Sequence, residues 1–387
     1  MAYGTIMGQT PRGGGKRYAT IVIGTSTAGW TTADCDFLCD GNNDQVEIQM
    51  AINQISTNGG EILLLNGTYN IQSSLNFNLV QLNQDTEIVI GGMGDSTVLN
   101  FSNSVKIENY YARLTIRQVY LKGGTIQSSN AYSDVNLEDN KIENTIFSIY
   151  SLSFKNNRYI NSIAQSTSIF SFNSGAAVID TNNFLLQVGV NNFFSGGSKL
   201  SLTNNVFQGA TGSDNSVSAR INSTISGNVF ENMNIFLNNC TFNGNVLKSS
   251  KVSSGLTSCI SNNYVVDGFL RSGAGSTITN NVVIQSDTSL PYCISAYKTM
   301  PNESATTLNT ISGNSCSGGN IGILLDANSI SAPLVKNCVI TGNACSQANP
   351  LQIDNVWSDC LITGNMFPNG PITDNGSSNT KANNVTG

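Results

Sequence analysis

The stretch TISGNVF, residues 224–230, returns as TISGNSC at 310–316, VITGNAC at 339–345 and LITGNMF at 361–367. Take the last Asn of each as position zero. Position −3 is then apolar, −1 is usually Gly or Asn, and +2 is usually apolar. The same frame fits Asn140, Asn157, Asn182, Asn205, Asn228, Asn245, Asn263, Asn281, Asn314, Asn343 and Asn365, with a weaker echo at Asn384. Steps run from 17 to 33 residues, most of them between 17 and 25. One phrase at an irregular period of about 20 residues marks a solenoid. Alternation within the phrase points to short strands and a turn, not to helix. Asn tolerates left-handed backbone and hydrogen-bonds its own neighbours, which places it at the turn. Stacked coils would set each Asn above the last, with the side-chain amides forming a ladder along the axis. The expected fold is all-β, a parallel β-helix. A β-sandwich rich in Asn turns is the alternative, and eleven returns of one phrase speak against it.

Composition narrows the function. Length alone, 387 residues, suggests two or three domains, but a repeat fold overrides that reading. Charged residues are 11%, histidine is absent and the net charge is −6, so no nucleic-acid partner is expected. No apolar run approaches the roughly 20 residues of a membrane span, so no membrane insertion is expected. The start, MAYGTIMGQTPRGGGKRYA (1–19), lacks the apolar stretch of a signal peptide. Synthesis in the cytoplasm is the expectation. Among nine cysteines, Cys316 and Cys345 sit at +2, and Cys338 and Cys360 at −5, like small apolar residues in stacked core columns. Disulfides between coils are the lesser reading. Cys35 and Cys39 lie outside the columns. With no His beside them, neither zinc nor any other cofactor is expected.

The entry to the solenoid is CDGNNDQVEIQMAINQISTNGGEILLLNGTYNI, residues 39–71. Asp44 with Glu47 three later reads as a capping box. Ile48, Ala51, Ile52 and Ile55 follow at helical spacing, and Gly59 and Gly60 stop the helix. A single amphipathic helix before a run of strands would cover the apolar end of the first coil. Asp40-Gly41, Asp44, the helix 46–56, Gly59-Gly60, the strand 61–65 and Gly67-Thr68-Tyr69 together resemble the entry segment of the pectate-lyase-like right-handed parallel β-helix superfamily. The preceding ATIVIGTSTAGWTTADCDFLCDG (19–41) is similar to the lead-in of phage and prophage tailspike-type β-helix proteins. The resemblance implies a right-handed β-helix with an N-terminal capping α-helix. It also implies a parallel homotrimer. It leaves function open, because this fold hosts lyases, hydrolases, epimerases, adhesins and tailspikes. The expected division is an arm at 1–33, the β-helix at 34–375 and a tail at 376–387. Residues 1–18, Gly-rich and basic, read as an attachment to a tail or baseplate protein. The C-terminal NGSSNTKANNVTG (375–387) offers no amphipathic helix, so a partner chain or further domain is expected over the last coil.

The chemistry is less marked. Polygalacturonase-like hydrolases carry Asn-Thr-Asp, Asp-Asp, Gly-His-Gly and Arg-Ile-Lys, and none of these occurs here. Pectate lyases need acidic calcium ligands and an Arg base. Arg113, Arg117, Arg158, Arg220 and Arg271 are the arginines of the solenoid, and none adjoins an acidic cluster in sequence. Without His, acid–base work rests on carboxylates. Glycoside hydrolysis needs two of them, about 5–5.5 Å apart for retention or about 6.5–9.5 Å for inversion. Coils stacked about 4.8 Å apart can supply such pairs. Asp326, Asp354 and Asp374 follow Asn314, Asn343 and Asn365 by 12, 11 and 9 residues and are expected to stack. Asp326 and Asp354 are the candidate catalytic pair, and Asp374 a substrate-binding group. An Asx turn at each Asp, or a shared cation, is the alternative. The excursion 285–309 adds Asp287 and Glu303 as candidate acids and Tyr292, Tyr297 and Lys298 as candidate sugar contacts, since aromatic faces suit sugar rings. Packing of this segment as a lid is the competing reading. Three functions remain: a virion-associated or extracellular tailspike-like protein engaging cell-surface polysaccharide, with or without cleaving it; a carboxylate-dependent glycoside hydrolase or polysaccharide lyase; and a non-catalytic shaft or adhesin.

Overall fold

The computed structural model describes residues 19–387 apart from 78–85, 103, 111, 129–132, 164–167, 173–174, 189, 191–192, 197–198, 213–214, 287–288, 298–307 and 327–334. Each repeat turns at position −1, not at the Asn. From Asp139 to Asn383 that residue is left-handed, with φ between 53° and 66°. Gly and Asn bear this conformation at least cost, which explains their prevalence there. Freed from making the turn, the following Asn points inward and is buried at every repeat from Asn140 to Asn365.

The inward Asn side chains form the expected ladder. Nδ2 of each donates to Oδ1 of the next, from Asn140 to Asn384, at 2.9–3.2 Å. The amide is used fully. Asn228 Nδ2 also donates to the Leu202 carbonyl at 2.9 Å, and its Oδ1 accepts the Asn205 backbone N–H at 2.9 Å. A buried amide is tolerated because its groups find partners.

Strands fall in turn on three faces. One coil shows the order: Ser223–Ser226, then Val229–Glu231 after the Asn turn, then Asn234–Leu237. Among the described residues the first face is a 17-stranded sheet and the second a 15-stranded sheet. The third is divided into sheets of six and eight strands. Register pairs each coil with its neighbours in parallel, as in Ile225 with Leu202 before and Phe242 after. This is a parallel β-helix. Inward columns of Ile, Leu, Val and Phe make one continuous core from Ile21 to Phe367. Phe184, Phe207 and Phe230 stack at 4.6 and 5.0 Å along one of them. Cys316 lies opposite Cys345 in the column expected for it, and both are buried free thiols.

The helix spans Gln45–Ile55 and buries Ile48, Ala51, Ile52 and Ile55. It packs on the strands Ala19–Thr25, Phe37–Cys39, Gly60–Leu64 and Leu75–Asn76. The capping box does not form. Asp44 is itself helical in backbone and makes no side-chain cap. Its buried carboxylate accepts the Gly41 and Asn70 backbone N–H groups at 2.8 and 2.7 Å instead. The first amide lies three residues back and the second 26 residues on, so Asp44 ties the strand Gly67–Ile71 to the turn before the helix. Gly59 ends the helix as expected, with φ of 75° and its N–H on the Ile55 carbonyl at 2.9 Å.

Pairing extends beyond 34–375 at both ends. Ala19–Thr25 pairs with Gly60–Leu64, and Thr380–Ala382 and Val385–Thr386 add to the long sheets. In this last coil the inward columns turn polar. Lys381 stands opposite Ile362 and Asp374 opposite Ile353, and the two join at 2.9 Å. No helix among the described residues is long and apolar enough to cross a membrane.

Candidate functional site

The outer surface of the eight-stranded sheet gathers the side chains with chemistry. One outer column runs Phe236, Ser253, Arg271, Ser295, Leu324, Gln352 and Thr373. Beside it, Tyr297 pairs with Asp326 on the next coil. Arg271 reaches diagonally over both. Its guanidinium carbon lies 3.8 Å from the Tyr297 ring centroid, and Nη2 lies 3.3 Å from Asp326 Oδ2. The Tyr297 hydroxyl donates to the Ser254 carbonyl at 3.4 Å, which fixes the ring. Arg271 and Asp326 side chains are each about a quarter exposed, at 25% and 26%. Arg271 Nε is buried and has no hydrogen-bond partner among the described residues. The sequence separates Arg271 from Asp326 by 55 residues, so the stacking of coils alone brings them together. Sequence reasoning missed Arg271 for this reason. It also missed Phe236, an exposed aromatic at 48%, whose only signal was an apolar residue at an outward strand position.

Asp354 continues the same ladder. Its N–H donates to the Leu325 carbonyl at 3.1 Å, which sets it beside Asp326 on successive coils. Gln352 Nε2 donates to Asp354 Oδ1 at 3.3 Å. The buried Trp357 pins both backbones: its N–H donates to the Asp354 carbonyl at 3.1 Å, and its indole to the Asp326 carbonyl at 3.2 Å. Asp374 does not join this pair. It is one residue out of register, opposite Ile353, and so faces inward. Its carboxylate accepts Asn379 Nδ2 at 2.8 Å and the Gly376 N–H at 3.0 Å besides Lys381. Burial works to raise its pKa, but these partners outweigh burial and hold it below the ordinary carboxylate value.

Tyr292 is buried, with its ring edge-on to Phe269 at 5.1 Å and its carbonyl accepting Gln285 Nε2 at 2.7 Å. It packs as core. Tyr297 is the exposed-side aromatic of the excursion, already engaged by Arg271. Asp287, Lys298 and Glu303 lie outside the described residues. Lys251, exposed, sits 5.7 Å from the Phe269 ring centroid at the N-terminal side of the same face.

Cys39, Asp44 and Glu47 form the one group among the described residues with three possible metal-ligand atoms within 4.8 Å of one another. The Asp44 carboxylate there is committed to two backbone amides, and burial pushes the Cys39 thiol well up. The group is a structural knot under the helix.

No protein-family model and no curated protein matches the chain. Solved structures do. The A-module of the Azotobacter vinelandii mannuronan C-5 epimerase AlgE4 matches at 14% identity and TM-score 0.43, over 86% of this chain and 97% of that one. The AlgE6 A-module matches at 13% and 0.38, over 90% and 97%. The alginate lyase AlyF-OU02 in complex with G6 matches at 12% and 0.40, over 88% and 84%.

Proposed function

We propose that this chain is a tailspike-like, virion-associated β-helix that engages cell-surface polysaccharide on the outer surface of its eight-stranded sheet. One observation carries the reading: Arg271, Tyr297 and Asp326, drawn from three successive coils, form a fixed cation–aromatic–carboxylate cluster on a surface otherwise rich in uncharged hydrogen-bonding groups. Aromatic faces take the apolar side of a sugar ring, while charged and amide groups take its hydroxyl rim. Phe236, two coils away in the Arg271 column, supplies a second apolar platform. The tailspike assignment draws on the resemblance of residues 19–71, and with it come a homotrimeric assembly, a virion or extracellular location and attachment through residues 1–18.

A second reading has its own support. Asp326 and Asp354 are neighbours on successive coils, about the spacing that a retaining glycosidase uses, and Arg271 adjoins them. The test is incubation with capsular and wall polysaccharides, with binding, new reducing ends and unsaturated products measured together. Binding without cleavage, weakened by Arg271→Ala, supports a receptor-binding protein. Cleavage lost in Asp354→Asn, with the fold retained, makes it an enzyme. Neither binding nor cleavage on any host polysaccharide would sink both readings and favour a shaft.

A further inference from the structure

We propose that an exposed apolar column on the second long sheet is the face on which copies of this chain associate side by side. The column runs Val206, Val229, Val246, Tyr264, Val282, Ser315, Ala344, Met366 and Val385, each hydrogen-bonded in register to the next coil. Its seven large apolar members are 37–60% exposed. With coils about 4.8 Å apart, the stripe is about 38 Å long. The run from Val206 to Val282 is unbroken over five coils, and Met366 and Val385 resume it beyond Ser315 and Ala344, which is not the scattered exposure that a surface normally carries.

Charge says what covers it. From Val206 onward the strands of this sheet carry only Glu231 and Lys248, which neutralise each other at 2.9 Å. Across the Asn corner, the outer positions of the first sheet from Ser223 onward are also uncharged: Thr224 and Ser226, Thr241 and Asn243, Thr277 and Thr279. Toward the N-terminus the same columns become charged, with Lys141 and Arg158 on one face and Arg117, Glu138, Lys155 and Asp180 on the other. Like charges in equivalent coils of two parallel copies would repel, whereas the C-terminal coils meet without that cost. A charged partner gains nothing from such a face. A second copy matches it in length, polarity and coil spacing. Two faces, each roughly 10 Å wide, present roughly 750 Å² per copy, close to the ~800 Å² per partner of standard stable interfaces.

The proposal rests on the self-association included in the function above, and the experiment separates the two. Sedimentation velocity of the full chain across micromolar concentrations compares wild type with Val229→Lys/Val246→Lys. Val178→Lys serves as a control of equal exposure on the N-terminal half. The expected result is an oligomeric wild type and control. The double variant should be monomeric, with its apparent Kd raised at least 100-fold and its thermal transition retained. An oligomer indifferent to the double variant overturns the assigned face and leaves assembly standing. A monomeric wild type overturns both. Loss of polysaccharide binding in a monomeric double variant, beside a monomeric wild type, would reassign the stripe to glycan.

Discussion

Asp374 shows how one residue of register separates two roles. Spaced like Asp326 and Asp354 in the sequence, it turns inward and closes the core on an ion pair with Lys381. Its carboxyl titrates below the ordinary value, so the stability it contributes is present above about pH 4 and is lost as pH falls through the depressed value. Asp374→Asn is expected to cost about 1 kcal/mol at pH 7, given the partial exposure of Lys381. The difference from wild type should close as pH falls below about 4, read by denaturant titration at each pH. A gap that persists at pH 2 would refute the pairing. At Arg271 the expectation concerns binding. Arg271→Ala should weaken polysaccharide binding about tenfold, and Arg271→Lys should restore little of it, because the planar guanidinium is what stacks on Tyr297. Titration calorimetry reads both, and full rescue by Lys would reduce the residue to a simple charge.

The Asn ladder and the helix are the elements whose sequence signals are strongest. Asn245→Ala removes the acceptor of the buried Asn228 N–H, at 3.0 Å, and one of the three acceptors of Asn228 Nδ2, which keeps the Leu202 and Ser226 carbonyls. An orphaned buried group costs about 1–3 kcal/mol, so a loss of about 2 kcal/mol is expected. Asn243→Ala, on the outward side two residues earlier, should cost under about 1 kcal/mol. Equal effects would mean that the ladder contributes no more than an ordinary surface amide. At the front, Asp44→Ala leaves the Gly41 and Asn70 amides without their acceptor. Hydrogen exchange at Asn70 and along Gln45–Ile55 should accelerate together, whereas a capping role alone would affect only the first helical turn.

The molecule as a stack has contacts mainly between successive coils, with side chains such as Arg271 reaching one coil further, so its stability is approximately a sum of coil and interface contributions. A break at Asn245 therefore divides it into two arrays, each with its own core: stacked Phe and Tyr on the N-terminal side, Ile, Val and Cys columns on the C-terminal side. Guanidinium unfolding of Asn245→Ala should resolve two transitions where wild type shows fewer, with the Trp357 fluorescence change reporting the C-terminal one. A single transition shared by every probe would show that cooperativity spans the break.

Much of this architecture was written in the sequence. A phrase repeated every coil makes the same demand at each turn, and the errors average out: the parallel stacking, the amide ladder, the Cys columns and the single helix all follow from local pattern. The left-handed residue was misplaced by one because Gly, Asn and Asp at −1 and Asn at zero satisfy similar propensities, and only backbone geometry distinguishes them. The candidate site was not legible in the same way. Arg271, Tyr297 and Asp326 meet because variable loops add to a constant coil rise, and sequence distance carries no information about that. Whether an Asp faces solvent or core depends on a single residue of register, which Asp354 and Asp374 resolve in opposite directions. Repetition wrote the stack into the chain; the meeting of side chains across coils came from the stack itself.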